Sequence, residues 1–301
     1  MDWPALAFRP PTVRNRLRRG SRACPLSLRD LVGGLCGEAM TVPLVRAGEE
    51  GTARAALVAA KEAGSVVGLA ATGPSAPERF FDAVTAVADE IGPGLPFLLG
   101  AEVAVAPGAI EEERALRRAQ RLVDAGMTHL VLDVDALPPE RRAEAFARTA
   151  EPALERGLGV ECLLPAGARE LPTADEAFSL LAELGSLGAS PDLAGVRLPD
   201  ALSLDGEEAC ARALARLAEL TGGVGLACRG RASAGVARLL RRGTFGAAED
   251  GGAARAAAGK EADPERGEAR AYGEIASLID AIGSAGSAEL LARALERARE
   301  E

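Results

Sequence analysis

The only histidine of this 301-residue sequence, His129, lies in an apolar run that continues into two aspartates. The run reads HLVLDVDA, so His129, Asp133 and Asp135 would share one face of a strand. Such carboxylates can hold a divalent cation or act as a general base, and a catalytic or metal-binding role is conceivable for the imidazole. We favour a structural role for His129, buried beside a hydrogen-bond partner. For Asp135 we favour capping of the next helix, and for Asp133 both roles stay open.

A second candidate group is the cationic pair Arg229 and Arg231 in the stretch CRGRASAGVARLLRRG. Two guanidinium groups near the start of a helix can bind a phosphate group through paired hydrogen bonds. The stretch contains few glycines, however, and a solvated loop in an arginine-rich protein is the alternative. The sequence leaves both interpretations open.

The five cysteines show no metal-binding pattern, because no two of them are separated by only two residues. With one histidine in the chain, a structural zinc site is not expected, and the thiols are expected to be reduced. The only lysines are Lys61, in a predicted helix, and Lys260, in a polar stretch. Neither lysine is placed at the end of a predicted strand, where a Schiff-base mechanism would need it.

Charge and hydropathy exclude several classes of partner. The formal net charge is −9 and the body of the chain has no long basic run, which argues against general binding of nucleic acid. The apolar stretches are too short to span a bilayer, and the basic N-terminus has no continuous apolar core typical of a secretion signal. We therefore expect a cytoplasmic protein without nucleic-acid or membrane partners.

The elements that position these residues follow a repeating pattern that begins near Pro25. Short, continuous apolar runs such as SVVGLAAT alternate with segments that have apolar residues at i, i+3, i+4 and i+7. This pattern indicates parallel strands buried on both faces and joined by crossover helices. Eight such units over roughly 250 residues predict an α/β protein with a (β/α)8 TIM barrel. An open doubly wound sheet is the alternative, but VRAGEEGTA lacks its glycine-rich turn.

In a TIM barrel the active site lies at the C-terminal ends of the strands, which selects a set of candidate residues. His129 lies below this rim, near the start of the fourth predicted strand. The strand ends, from the first to the eighth predicted strand, offer Arg46, Glu102, Asp133 with Asp135, Glu161 with Cys162, Arg197 with Asp200, Cys228 with Arg229 and Arg231, and Glu249 with Asp250.

The sequence predicts two parts of unequal size, an extension over residues 1–24 and a barrel with C-terminal helices over residues 25–301. The extension contains three prolines and then the basic stretch RNRLRR, a composition typical of a flexible arm. The alternative is a segment that docks on an acidic partner.

From Pro25 almost to its end, the chain resembles the class II, zinc-dependent fructose-bisphosphate and tagatose-bisphosphate aldolases. PLSLRDLVGGLCGEAMTVPLV is similar to the first helix and strand of that family, and GTARAALVAAKEAGSVVGLAATG to its first crossover and second strand. VDAGMTHLVLDVDALPPE and ALERGLGVECLLPAG resemble the fourth and fifth units. GVARLLRRGTF and DPERGEARAYGEIASLIDAIGSAGSA resemble the helix before the eighth strand and the C-terminal segment. The likeness lies in the order and spacing of these segments.

The resemblance implies a zinc ion held by three histidines from the ends of the third, sixth and seventh strands, a set that this sequence lacks. The histidine places of the third strand fall on Gly100 and Val103, with Glu102 at the place of the catalytic acid. The sixth-strand ligand falls near Pro199 or Asp200.

The remaining functional positions of the family are also changed. The seventh-strand ligand becomes Cys228, and of the phosphate-binding glycines after it only Gly230 remains. The phosphate contacts after the eighth strand fall on GAAEDG, whereas Asp133 and Glu161 match acidic family positions near the metal. The zinc site of the family is therefore expected to be lost.

We expect an aldolase-like TIM barrel without zinc aldolase activity, a pseudoenzyme with a binding or regulatory role and no assigned cofactor. The alternative is an active lyase of the aldolase type on a phosphorylated sugar, with a rebuilt acidic site that works either with or without a metal. A structural partner in an assembly, using the arginine-rich extension, is a third interpretation. The expected ligand is a sugar phosphate or a protein partner, and a homo-oligomer is compatible with the sequence. The residues assigned to catalysis are Glu102, Asp133 and Glu161, and those assigned to the substrate and its phosphate are Cys228, Arg229, Gly230 and Arg231.

Overall fold

The eight predicted strands form a closed parallel barrel, which confirms the predicted fold class. A computed structural model describes residues 4–34, 39–48, 50–72, 76–92, 94–166, 171–198, 204–221, 224–231, 233–241, 245–250, 252–261 and 263–300. The described strands are β1 (Cys24–Pro25), β2 (Met40–Ala47), β3 (Val67–Ala71), β4 (Pro96–Ala104), β5 (His129–Asp133), β6 (Gly159–Leu163), β7 (Leu193–Arg197), β8 (Gly225–Arg229) and β9 (Phe245–Glu249). Strands β2 to β9 pair in sequence, and pairing of β9 with β2 closes the barrel.

Helices connect and surround the strands. The described helices are a 3-10 helix (Pro4–Phe8), α1 (Pro11–Arg16), α2 (Leu28–Gly34), α3 (Glu50–Ala63), α4 (Pro77–Ile91), α5 (Ala109–Asp124), α6 (Pro139–Leu154), α7 (Ala174–Ser186), α8 (Leu204–Leu220), α9 (Ala234–Leu240), α10 (Ala253–Ala258), α11 (Pro264–Ile282) and α12 (Ser287–Glu300). Their first turns contain residues that favour helix initiation. Thr173 and Asp263 accept hydrogen bonds from backbone N–H groups of α7 and α11, and prolines begin α4, α6 and α11.

The apolar core has two parts, on the two sides of the barrel wall. The larger part lies between the strands and the surrounding helices, where alternate strand residues such as Leu130 and Leu132 are fully buried. The smaller part fills the lower half of the barrel, and β1, α2 and α12 cover the barrel there. Its members include Met40, Val42, Leu44, Leu98, Leu193, Leu28, Leu31, Leu291 and Leu295.

The N-terminal segment packs against the barrel from residue 4 onward. Val13 is fully buried, and the Arg16 guanidinium lies 5.2 Å from the centre of the Phe81 ring. Asp89 accepts a hydrogen bond of 2.9 Å from the backbone N–H of Ala23. Apolar contacts and arginine contacts thus hold residues 4–24 against the barrel, and the flexibility that the composition predicts for this extension stays a prediction.

Among the described residues, no single helix is long and apolar enough to cross a bilayer. Helices α11 and α12 pass such a test only as a pair, by length and composition, and they are bent by 60° at the break between them. Their apolar side chains Ile275, Ile279 and Leu291 are buried in the fold.

Candidate functional site

The interior face of each strand determines which predicted residues can meet. His129 and Val131 of β5 line the same cavity, and Asp133 follows them on this face because side chains alternate along a strand. The same alternation turns Arg229 of β8 and Glu161 of β6 inward. The C-terminal half of the barrel interior therefore contains charged side chains, whereas its lower half is apolar.

The centre of the barrel holds an ion pair between Glu161 and Arg229, both of them buried. The Arg229 Nε donates to Glu161 Oε1 at 2.8 Å, and Nη2 donates to Oε2. The two groups therefore pair through both carboxylate oxygens, the arrangement in which an arginine binds a carboxylate most strongly. Gly195 of β7 makes room for this pair, because a Cβ at that position would overlap Glu161 Oε1.

His129 is the third member of this buried cluster. Its Nε2 lies 3.2 Å from Glu161 Oε2, although the orientation does not give a hydrogen bond of good geometry. Burial raises the pKa of Glu161, but the charge of Arg229 and the contacts with His129 and Arg229 outweigh it and lower this pKa to about 2. Glu161 is therefore a carboxylate across the physiological range. The structure places His129 in a buried position, as the favoured interpretation of the sequence predicts.

A second arginine–glutamate pair lies beside the first. Arg46 of β2 donates to both carboxylate oxygens of Glu249, which is buried at the end of β9. The next residue, Asp250, accepts hydrogen bonds of 3.0 Å from the backbone N–H groups of Gly252 and Ala254, at the start of α10. Burial raises the pKa of Asp250, and these hydrogen bonds oppose the rise. Asp250 therefore shapes the turn into α10.

Arg197 of β7 connects two acidic residues at the mouth of the barrel. Its Nη2 lies 3.1 Å from Glu102 Oε1 and 2.7 Å from Asp133 Oδ2. Glu102 is exposed and Asp133 is half-buried, so this cluster is in contact with solvent. Asp133 also accepts a hydrogen bond of 3.0 Å from the backbone N–H of Asp135, and it therefore orders the start of the loop after β5.

The predicted helix-capping role of Asp135 is wrong. Helix α6 begins after Pro138, which has no side-chain cap, and the Asp135 carboxylate lies 3.8 Å from Arg142 Nη2 instead. Pro138 before the helix and Pro139 at its first position already fix the backbone there. Asp135 therefore contributes to the loop through an ion pair on the first turn of α6.

A cavity of about 380 Å³ opens at the mouth, above the Glu161–Arg229 pair. Its size is at the lower end of the range for small-molecule sites. Its wall combines apolar side chains of β2 to β5 with polar ones. The polar residues of the lining are Arg46, Thr72, Glu102, Arg118, His129, Arg229 and Glu249. This cavity is the candidate functional site.

Two of these lining residues were not identified from the sequence. Thr72 follows β3, and its buried hydroxyl has no hydrogen-bond partner among the described residues. Arg118 lies in the middle of α5, away from the strand ends on which the sequence argument relied. No signal in the sequence marks Arg118. Thr72 could have been found, because it is the last residue of the second predicted strand, SVVGLAAT.

The residues assigned to phosphate binding do not come together. Arg229 is buried against Glu161, whereas Arg231 is exposed, and neither Gly230 nor Arg231 is part of the cavity wall. Gly230 has a φ of 116°, a conformation that favours glycine, so its place is explained by the backbone. The proposed clamp of Arg229 with Arg231 is therefore corrected.

Cys228 lies on the other face of β8, in the core between strands and helices. Burial raises the pKa of its thiol, which keeps the thiol protonated, and the described wall of the cavity does not include it. Cys162 of β6 is placed in the same way. The expected contact of Cys228 with a substrate is thus corrected, because alternation along β8 directs Arg229 inward instead. Asp200 and Pro199 lie outside the described residues.

The described residues do not fit the zinc ion of the class II aldolases. At the histidine places of the third predicted strand, Gly100 has no side chain, and Val103 packs in the core outside the barrel. Among the described residues no three His, Cys, Asp or Glu side chains are grouped to hold a metal. The acidic groups near the centre are already paired with arginines, whose charge opposes a bound cation.

Two proteins of known structure that are described as aldolases have a fold similar to that of this chain. A protein of Coccidioides immitis, provisionally assigned as a fructose-1,6-bisphosphate aldolase, superposes with a TM-score of 0.63 and 16% identity, over 90% of this chain and 99% of the other. The YdjI aldolase of Escherichia coli K12 gives a TM-score of 0.61 and 15% identity, over 87% and 98%. No family model matches the chain, and no curated protein matches its sequence. These likenesses show the fold alone, a TIM barrel.

Proposed function

We propose that this protein is a non-catalytic relative of the class II aldolases, which binds a small ligand at the barrel mouth and has a binding or regulatory role. The observation that carries this proposal is the Glu161–Arg229 pair at the centre of the barrel. In this pair a guanidinium, rather than a metal ion, balances the charge of the buried carboxylate. A zinc aldolase needs a cation at this place to stabilise the enediolate. Here the Glu161 carboxylate, which could have helped to hold a cation, is paired with Arg229.

The cavity itself supports a binding role. It is open to solvent at the mouth, and apolar side chains cover the lower end of the barrel. A concave site with an apolar wall and a few polar groups is typical of small-molecule binding. The rigid strands that form the wall place these groups without the need for a metal.

A direct assay tests the proposal. The full-length protein, incubated with zinc, is assayed for cleavage of fructose and tagatose bisphosphates, beside an active class II aldolase as a positive control. We expect no cleavage and no stoichiometric zinc by elemental analysis. Zinc-dependent cleavage would overturn the proposal.

An active enzyme without zinc is the second candidate, favoured by the exposed carboxylate of Glu102 in the cavity wall. A solvent-exposed carboxylate next to a bound sugar phosphate could move a proton. This candidate predicts exchange of a substrate C–H proton with deuterated solvent in the presence of a chelator. It also predicts loss of that exchange in Glu102→Gln, with the exposed Glu111→Gln as a control.

A further inference from the structure

We propose that the cavity at the barrel mouth is an oxyanion site in which Arg229 and Arg118 bind a phosphate or carboxylate group without a metal. This inference rests on the proposed binding function and names the class of ligand. It assigns the positive charge of the site to guanidinium groups on α5 and β8.

The first argument is the balance of charge in the cavity wall. Three arginines line the cavity, against the two glutamates Glu102 and Glu249. Both glutamates are already paired, Glu249 with Arg46 and Glu102 with Arg197. Because Glu161 pairs with Arg229, Arg118 is the one lining arginine without a carboxylate partner among the described residues, and an anionic ligand would supply that partner.

The second argument is the hydrogen-bonding capacity of Arg229. A guanidinium has five N–H donors, and Glu161 occupies Nε and Nη2. Within the described part of the chain, Nη1 has no acceptor, although the side chain is buried and lines the cavity. Nη1 is not sealed from the cavity, so a ligand or water there can accept its hydrogen bonds. Glu161 holds this guanidinium in a fixed orientation, so little order is lost when an anion binds.

The third argument is Arg118. It makes neither an ion pair nor a hydrogen bond with any described residue, whereas its neighbour Arg117 lies 3.4 Å from Glu113 on the same helix. Arg118 lines the cavity and remains available at its edge. A planar guanidinium matches the geometry of phosphate and carboxylate oxygens. Arg118 is thus a second anchor that an anion could engage without displacing an existing partner.

Calorimetric titration of the full-length protein at low ionic strength, with a chelator present, tests the site. Inorganic phosphate and malonate serve as separate probes for the phosphate and carboxylate classes. We expect at least one of them to bind, and Arg118→Gln to weaken that binding about tenfold, the effect of losing one charge-assisted hydrogen bond. Arg117→Gln is the matched control, since it removes an equal charge one residue away, and its affinity should stay unchanged.

Three results would overturn the inference: no binding of either probe, an unchanged affinity in Arg118→Gln, or an equal loss in Arg117→Gln. Both arginines are exposed on α5, so neither variant should impair folding. The aldolase assay on the same preparation separates the two proposals. Zinc-dependent cleavage would overturn the proposed function, and the titration with chelator would still test the oxyanion site. If the protein neither cleaves the substrates nor binds the probes, only the oxyanion site is overturned.

Discussion

Two arginines at neighbouring positions in the barrel have opposite surroundings. Arg197 of β7 and Arg229 of β8 are paired in the sheet register, and both contact acidic side chains. The side chain of Arg229 is 9% exposed and faces one fully buried glutamate, whereas that of Arg197 is 46% exposed and is shared between Glu102 and Asp133. Two neighbouring arginines therefore have different roles. Arg229 forms the buried ion pair at the barrel centre, and Arg197 connects the ends of neighbouring strands.

The difference follows from how much hydration each guanidinium group loses on folding. A buried ion pair gains strong attraction only if both partners are present, because an unpaired charge in the interior is poorly solvated. An exposed pair gains little, since water and salt screen both groups. Substitutions at the two positions should therefore lower the free energy of unfolding by different amounts. The following predictions test this contrast.

The largest effect is expected from Arg229→Met. The variant leaves Glu161 charged and unpaired at the barrel centre, which should lower the free energy of unfolding by roughly 3–5 kcal/mol. Urea denaturation measures this change. The double variant Glu161→Gln with Arg229→Met removes both charges and should recover much of the loss. Equal losses in the single and double variants would show that the pairing itself contributes little.

The effect next in size is a pH dependence that comes from Glu161. Its pKa is lowered from 4.5 to about 2 in the folded protein. Because the folded-state pKa is depressed, the stabilisation is complete above about pH 4.5 and is lost as the pH falls toward about 2. A shift of this size corresponds to stabilisation on the order of 3 kcal/mol.

Unfolding free energies of the wild type and of the double variant, measured at several pH values through this window, isolate the contribution of Glu161. Other carboxylates titrate in both proteins, so their effect cancels in the difference. The advantage of the wild type should shrink as the pH falls. A constant difference across the window would contradict the assigned pKa.

The contrast between the two arginines also shows where sequence reasoning succeeds. The continuous apolar runs predicted eight parallel strands, and the rule for TIM barrels selected Arg46, Glu102, Glu161 and Arg229 as residues near the strand ends. Both steps depend on local pattern and chain order, which the sequence contains. The fold and the approximate height of these residues in the barrel were therefore predictable.

The direction of each side chain was not predictable. Strands buried on both faces lack the alternation of apolar and polar residues that would identify the inner face. The sequence could thus not decide between Cys228 and Arg229, and it assigned both to the site. Arg118 was missed for another reason, because a residue in the middle of a helix reaches the cavity only through the packing of α5 on the barrel.

The smallest effect is expected from Arg197→Gln, at the exposed member of the pair of arginines. Loss of its contacts with Glu102 and Asp133 should change the free energy of unfolding by at most about 1 kcal/mol, because solvent screens these ion pairs. The small effect should shrink further at high salt, which urea denaturation at two salt concentrations measures. Arg212→Gln, which removes an exposed i,i+4 pair with Glu208 on α8, gives the scale of an ordinary surface variant. If Arg197→Gln lowered the free energy of unfolding as much as Arg229→Met, burial would not explain the difference between the two arginines. The ion pairs of Arg197, which connect β7 with β4 and β5, would then stabilise the barrel as much as the buried pair does.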